Sequence, residues 1–283
     1  MKKKAVAIVC LVLGVALGLC ACQAAGFDAA KNICVVTRGE GSGTKAAFME
    51  IIGLKGKSDV AGAIIADSTA AVLNEVKGNP VAIAFDSLGY VTDDVKMLKV
   101  GGVAATVENI KNGTYKVARP LNVVYKAETV TSGAPQAFYE FLQSAEAQTI
   151  IAAEGYVSTR ENPVAYTIKT GLSGSVKVSG STSLQPLMLK LAAKFEEIQS
   201  GVSIEVSGGG SGVGYKNAEN GVSDFGMISE EFHAEKAADC TYYEVAKDGI
   251  AVIVNQANTR DDITMEDLKK IYGGEATVWS ELG

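Results

Sequence analysis

Hydrophobic and polar positions alternate between two periods along the chain after about residue 26. Runs with the β period predict strands at 33–37, 81–85, 176–179, 202–207, 225–228 and 249–255. Segments with the helical period predict helices at 69–76, 107–112, 135–154, 184–198 and from Thr264 onward. Strands that alternate with helices are typical of α/β layers with largely parallel sheets, in which ligands bind at the carboxyl ends of the strands. The pattern therefore predicts an α/β protein.

Three turns rich in glycine and hydroxyl residues each follow a predicted strand and precede a helical segment. They read Thr-Arg-Gly-Glu-Gly-Ser-Gly-Thr at 37–44, Ser-Gly-Ser-Thr-Ser at 179–183 and Ser-Gly-Gly-Gly-Ser-Gly at 207–212. A strand that leads through a glycine turn into a helix directs several free backbone N–H groups at one point, where an anion can bind. One such turn is weak evidence, but three in the same frame predict a site for one small oxyanion.

Arg38 is the cation of the first turn. Its guanidinium can donate to two oxygens of an oxyanion at once. Glu40, two residues further on, is expected to orient this guanidinium, with a plain surface ion pair as the alternative. The rival phosphate motifs do not fit: 44–46 lacks the Lys-Ser/Thr pair of a nucleotide P-loop, and 208–214 lacks the spacing of a dinucleotide fingerprint.

The first 21 residues have the pattern of a targeting segment, with Lys2, Lys3 and Lys4 before an uncharged apolar stretch. They are therefore left out of the fold. The stretch resembles a bacterial lipoprotein signal in which Cys22 becomes the lipidated first residue of the mature chain, which would hold the protein at a membrane. An ordinary secretory signal or a membrane helix is the alternative.

The charge of the chain argues against polyanionic partners such as nucleic acid. The formal net charge is −6, and loss of the signal removes three lysines and no acidic residue. An anion site must therefore act through a local pocket. No cysteine or histidine spacing indicates a metal or redox site, and no cofactor is predicted. Cys34 and Cys240 would remain after processing, either as a disulfide or as free thiols, and His233 is expected at the surface.

Several longer motifs carry a resemblance to a known family. The stronger ones lie at 35–48, 179–188, 208–214, 223–229 and 248–255, and the weaker ones at 86–91, 108–115, 155–157 and 271–283. Together they resemble the phosphate-binding lipoproteins of high-affinity phosphate ABC transporters, which are class II periplasmic-type binding proteins. In most members the Gly-Ser-Thr-Ser segment comes first, whereas here it follows the Arg-containing turn. The chain thus resembles a circular permutant, with 169–175 joining the old ends and 279–283 lying near Phe27.

The resemblance implies two α/β lobes joined by a two-strand hinge, with the ligand in the cleft between them. One lobe would combine 27–92 with 247–283, and the other would span 93–246. The anion would be bound from the first lobe by Arg38, Ser42, Gly43 and Thr44, and from the second by Thr182, Ser183, Ser211 and Ser229. Hinge closure would bury the ligand and present it to a membrane permease. The implied protein is a monomeric, lipid-anchored receptor on the outer face of the bacterial cell membrane, with no catalytic residues.

The ligand itself is less sharply implied than the cleft. Some members carry an aspartate at the position of Ser229, where it accepts the proton that phosphate has and sulfate lacks. A serine imposes no charge repulsion on sulfate, so sulfate, molybdate or a phosphorylated metabolite are alternatives to inorganic phosphate. A secreted phosphatase or transferase is a reading of another class, but it would need a histidine constellation or a carboxylate cluster that the sequence lacks.

Overall fold

A computed structural model describes residues 26–283, so the predicted signal segment and Cys22 lie outside the described part. The strands are β1 (Cys34–Arg38), β2 (Ile64–Ala66), β3 (Ala82–Ser87), β4 (Val95–Val100), β5 (Ala118–Lys126), β6 (Val157–Ser158), β7 (Gly174–Gly180), β8 (Val202–Ser207), β9 (Phe225–Ile228), β10 (Cys240–Asn255) and β11 (Asp262–Ile263). The helices are α1 (Gly43–Ile51), α2 (Thr69–Gly78), α3 (Val107–Lys111), α4 (Gly133–Leu142), α5 (Ala145–Ala153), α6 (Gln185–Ile198), α7 (Ser211–Glu219) and α8 (Met265–Gly273).

The strands follow one another in the order β2-β1-β3-β10-β5-β9-β7-β8. Pairing is parallel at both ends of this order, where β1 pairs with β2 and β3, and β7 pairs with β8 and β9. It is antiparallel in the middle, where β10 pairs with β3, β4, β5 and β6. The sheet is therefore mixed, because two long strands run in opposite directions between its parallel ends.

The two larger of three hydrophobic cores divide the described chain into two lobes, and the third, smaller core lies in the second lobe. Val117, directly before β5, packs in the first core and Leu121 on β5 packs in the second. Along β10, Ala246 packs in the second core and Ile250 in the first. The chain thus passes between the cores twice, on two paired antiparallel strands. We call 26–117 with 250–283 the first lobe and 121–246 the second lobe.

The boundary between the lobes differs from the one expected near residue 92. Val95, Leu98, Ile110 and Tyr115 belong to the first core, not to the second. They are held there because β4 pairs with both β10 and β11, and because the Tyr115 hydroxyl donates to the Ile250 carbonyl at 2.8 Å. Strands β10 and β11 are far from 95–115 in sequence, so the apolar pattern of that segment did not reveal that it belongs to the first core.

Two other elements differ from the sequence pattern. The single helix predicted at 135–154 is two helices, α4 and α5, because the Ser144 hydroxyl accepts a hydrogen bond from the Ala147 N–H and starts a new helix. Strand β10 begins nine residues before the predicted start at Gly249, since its first half pairs with β5.

The two ends of the described chain lie close together. The Phe27 and Trp279 rings meet edge to face with their centroids 5.7 Å apart, and the Ser280 N–H donates to the Ala29 carbonyl at 2.9 Å. The segment 169–175 is largely exposed and leads into β7.

Candidate anion-binding site

Four helices begin at the cleft between the lobes, two from each lobe. Helices α1 and α2 follow β1 and β2 of the first lobe, and α6 and α7 follow β7 and β8 of the second. Serine hydroxyls cap two of them: Ser42 accepts from the Lys45 N–H at α1, and Ser68 from the Ala71 N–H at α2. Before α6, the Ser181 hydroxyl accepts from the Ser183 and Leu184 N–H groups of the turn. Each helix start carries partial positive charge on its free N–H groups, so the cleft is favourable for an anion.

The hydroxyl groups of the two lobes contact each other directly across the cleft. Thr44 Oγ1 lies 2.8 Å from Ser183 Oγ. Thr69 Oγ1 lies 3.1 Å from Thr182 Oγ1 and 3.4 Å from Ser183 Oγ. All but Thr182 are buried. These hydroxyls therefore form one cluster to which both lobes contribute.

Arg38 is the buried cation of this cluster, with 2% of its surface exposed. Its Nε donates to the Ala66 carbonyl at 3.1 Å, and Nη2 donates to the Asp67 carbonyl at 3.3 Å, which fixes the side chain to the end of β2. The outer nitrogens also reach Thr69 Oγ1 at 3.5 Å and Thr182 Oγ1 at 3.1 Å. Burial lowers the pKa of Arg38 and Asp86 opposes this, but arginine stays charged at any ordinary pH.

Glycines allow the turns of the two lobes to meet. A Cβ on Gly43 would overlap Ser211 Oγ and lie 3.0 Å from Ser229 Oγ. Gly210 has a φ of +89° and a Cβ there would lie 2.8 Å from the Gly41 carbonyl oxygen, a conformation and an approach that only glycine tolerates well. The same carbonyl accepts from the Gly212 N–H at 3.0 Å.

Ser211 and Ser229 complete the second-lobe side of the cleft. The Ser229 N–H donates to Ser211 Oγ at 3.0 Å, and the two hydroxyl oxygens are 3.4 Å apart. Both residues are buried. The structure thus places at the cleft the eight residues that were predicted to contact the anion: Arg38, Ser42, Gly43, Thr44, Thr182, Ser183, Ser211 and Ser229. That they bind an anion stays a prediction.

Glu40 is placed differently from the expectation. It is exposed, and among the residues that the structure describes it makes no hydrogen bond or ion pair with Arg38. The backbone carbonyls of Ala66 and Asp67 orient the guanidinium instead. Thr69 is a cluster residue that sequence reasoning missed, although its position at the start of a Ser-capped helix was a usable signal.

A second set of buried charges lies at the hinge, and the sequence did not indicate it. Arg119 on β5 and Asp248 on β10 are opposite each other, with Arg119 Nη2 3.1 Å from Asp248 Oδ2. Ser87 Oγ donates to the same carboxylate oxygen at 2.6 Å. Arg119 Nη1 donates to the Ser229 carbonyl at 3.0 Å and so connects the hinge to the cleft. Burial raises the pKa of Asp248, and Arg119 and Ser87 oppose that shift.

Two cavities are lined by residues of both lobes. One, of about 620 Å³, includes Thr69, Tyr90, Thr182 and Gln185 and therefore opens beside the hydroxyl cluster. The other, of about 490 Å³, has a rim of mixed charge that includes Glu40, Lys45, Asp59, His233 and Lys236. Both are openings of the interlobe cleft.

The remaining candidate groups do not form a reactive centre in the described region. Cys34 and Cys240 are both free thiols, and burial raises the pKa of Cys240 to about 11. His233 lies beside two glutamates, with Nδ1 3.5 Å from Glu235 and Nε2 4.0 Å from Glu230. Within 26–283, three or more metal-ligating side chains do not come together anywhere, and no helix has the length and hydrophobicity to span a bilayer.

Comparison with known proteins places this architecture in a family. A PBP superfamily domain matches residues 23–146 and 165–283. The phosphate-binding protein PstS 2 of Streptococcus agalactiae is 35% identical over 260 residues, which cover 89% of this chain and 88% of that protein. The crystal structure of a phosphate ABC transporter, phosphate-binding protein from Streptococcus pneumoniae superposes with a TM-score of 0.72 at 34% identity, covering 89% of this chain and all of that one.

A third relative matches over a shorter stretch. The phosphate-binding protein PstS of Bacillus subtilis is 38% identical over 114 residues, which cover 39% of this chain and 38% of that protein. The long collinear match and the superposition on a solved structure decide the assignment. The chain belongs to the PBP superfamily and, within it, to the family of the PstS phosphate-binding proteins.

Proposed function

We propose that this protein is an extracytoplasmic receptor that binds inorganic phosphate between its lobes and delivers it to the permease of an ABC transporter. The observation that carries the proposal is the convergence of Arg38 with the starts of four helices and their hydroxyl groups. The names of the relatives support phosphate as the ligand.

The chemistry of the cleft suits a small tetrahedral oxyanion. Backbone N–H groups at helix starts and serine and threonine hydroxyls are donors that can surround such an ion, and Arg38 adds charge. Hydroxyl groups can also accept, so a proton on the ligand can be accommodated at Thr44, Ser183 or Ser229. No step of bond making or breaking is required, and the proposed role is a receptor, not an enzyme.

Two features of the wider chain belong to the same proposal. The predicted signal and Cys22 would tether the receptor to the outer face of the cell membrane through acyl chains. The circular permutation is supported by the length of the matches. A collinear alignment follows only one part of two proteins whose halves are exchanged, and the Bacillus subtilis relative aligns over 39% of this chain.

The test is calorimetric titration of phosphate into the mature chain without lipid, residues 23–283, after removal of any bound anion. Wild-type protein is expected to bind one phosphate per chain. Arg38→Ala is expected to lose about 3 kcal/mol of binding free energy, or roughly a hundredfold in affinity, because a buried charged donor is removed.

Arg160→Ala is the matched control, since Arg160 is exposed and lies in the second lobe against the Tyr243 ring. It should bind phosphate like the wild type. Equal affinities in the Arg38 and Arg160 variants would contradict the proposed site, and absence of phosphate binding by the wild-type protein would contradict the function.

A further inference from the structure

Asp86 is a buried carboxyl group of the first lobe. It lies in β3 with none of its surface exposed. One oxygen, Oδ1, accepts from the Ser87 N–H at 2.8 Å. The other, Oδ2, has no hydrogen-bond partner among the residues that the structure describes. A buried carboxyl oxygen without a partner is costly, so it requires an explanation.

The strand pairing places Asp86 at the level of the anion site. Strands β1 and β3 are parallel, with Cys34 opposite Ala82 and Val35 opposite Ile83. Arg38 and Asp86 each lie four residues after the first of these pairs, so both occupy the carboxyl ends of neighbouring strands. The registered pairing between β1 and β3 stops before that level, and in parallel sheets ligands bind at this edge.

The charged groups around Asp86 are connected to the site from both lobes. Arg38 on β1 and Arg119 on β5 act on it with positive charge, and Asp248 on β10 with negative charge. Arg38 donates to Thr182, and Arg119 donates to the Ser229 carbonyl. No ion pair within 4.0 Å joins Asp86 to either arginine in the described chain, so its free oxygen is not neutralised by them.

We propose that Asp86 binds the oxyanion directly, through one hydrogen bond in which a single proton lies between its free oxygen and a ligand oxygen. This inference rests on the proposed anion site. The proton can come from either partner. A phosphate that carries a proton donates it to ionised Asp86, whereas sulfate carries none and binds only when Asp86 is itself protonated. Asp86 thereby selects for a protonated oxyanion, a role that the Ser229 hydroxyl cannot fill by charge.

The selection depends on pH in a defined direction. Burial raises the pKa of Asp86 well above its usual range, Arg38 and Arg119 oppose the shift, and Asp248 reinforces it. Below that pKa the group is protonated and both anions are accepted. Above it sulfate affinity should fall by about tenfold per pH unit, while phosphate affinity falls less because the ligand supplies the proton.

The experiment is titration of phosphate and of sulfate at pH 5, 7 and 9 into wild type, Asp86→Asn and Glu244→Gln. Asparagine keeps the shape and offers an N–H donor to either anion without titrating. Glu244 is the matched control because it is another carboxyl with a raised pKa and an unpartnered buried oxygen, on the second-lobe half of β10. Phosphate ionisation in solution is the same for all three proteins, so differences between them come from the substituted residue.

Wild type and Glu244→Gln should prefer phosphate increasingly as the pH rises. In Asp86→Asn this increase should be much smaller, because only the ionisation of phosphate itself still changes the ratio of the two affinities. If the ratio of phosphate affinity to sulfate affinity changed with pH in the same way in wild type and in Asp86→Asn, the inference about Asp86 would be overturned. Phosphate binding that still depends on Arg38 would in that case leave the proposed function intact. Failure of the wild type to bind either anion would overturn both. Thermal unfolding of each variant verifies that the folded state is being compared.

Discussion

The two lobes contribute different chemistry to the same cleft. The first lobe supplies the buried ionisable groups, Arg38 and Asp86, each held on a strand of its sheet. The second lobe supplies neutral groups at the starts of α6 and α7 and the end of β9, namely Thr182, Ser183, Ser211 and Ser229. In the proposed site, attraction for an anion therefore comes mainly from Arg38 in the first lobe, and the bonds that require closure come from the second lobe. The difference indicates how a hinge can couple ligand binding to closure.

The hinge also contacts the second-lobe side of the cleft. Arg119 on the crossing strands pairs with Asp248 through Nη2 and donates from Nη1 to the Ser229 carbonyl. Arg119 and Asp248 are 3% and 2% exposed. Removing one partner of a buried pair leaves an uncompensated charge, whereas the intact pair restricts the geometry of the crossing strands.

Among substitutions that leave Arg38 in place, the largest loss of phosphate affinity is expected from one that prevents the two lobes from meeting. Gly210→Ala adds a Cβ 2.8 Å from the Gly41 carbonyl of the first lobe, on a backbone with a φ of +89°. Affinity for phosphate should fall by about tenfold or more, since strain and overlap of this kind cost roughly 1–3 kcal/mol. Titration calorimetry measures the loss.

Gly209→Ala is the control for that substitution. Its φ of +138° is also unusual, but the three atoms nearest to its Cβ would all belong to Val213 of the same lobe. The Gly209 variant should lose stability to thermal unfolding without a comparable loss of affinity. Equal losses of affinity in the two variants would show that local strain, not contact between the lobes, is responsible.

A smaller loss of phosphate affinity is expected when one hydroxyl of the second lobe is removed. Thr182→Val keeps the shape of the side chain but removes the oxygen that lies 3.1 Å from both Arg38 Nη2 and Thr69 Oγ1. The expected loss in phosphate affinity is about fivefold, corresponding to roughly 1 kcal/mol for one hydrogen-bonding group.

Thr149→Val is the control. The Thr149 hydroxyl donates to the Ala145 carbonyl on an exposed helix surface, so its removal should leave phosphate binding unchanged. A larger loss in Thr182→Val than in Arg38→Ala would contradict the assignment of charge to the first lobe.

The smallest expected effect concerns stability and not binding. Because burial raises the pKa of Asp86 in the folded state well above its ordinary value, the folded protein holds a proton that the unfolded chain releases first. Free energy of unfolding should therefore fall as the pH rises above about 4 towards the raised pKa of Asp86. Asp86→Asn should remove this slope and gain about 1 kcal/mol at the upper end, as urea titrations at several pH values would show. A slope that persists in the variant would exclude Asp86 as its source.

Much of the site could be predicted because its parts are contiguous in sequence. Strands β8 and β9 have the bounds that the apolar runs suggest, and α6 begins one residue after the expected start. The turns at 37–44 and 179–183 carry donors whose positions follow from local geometry. Glu40 is the counterexample: closeness in sequence to Arg38 suggested an ion pair, yet the turn leaves Glu40 exposed while carbonyls of the next strand hold the guanidinium.

The alternation of strands and helices, the three donor-rich turns and the residues at those turns could be predicted from the sequence, since each depends on interactions within a few positions. The boundary between the lobes, the buried ionisable groups and the contacts between hydroxyls could be seen only in the folded structure. Arg119 and Asp248 are 129 positions apart, and Thr44 and Ser183 are 139 apart. These groups come together because β5 pairs antiparallel with β10 and because separate cores pack in the two lobes. Neither the pairing nor the packing is visible in the local hydrophobic pattern of the sequence.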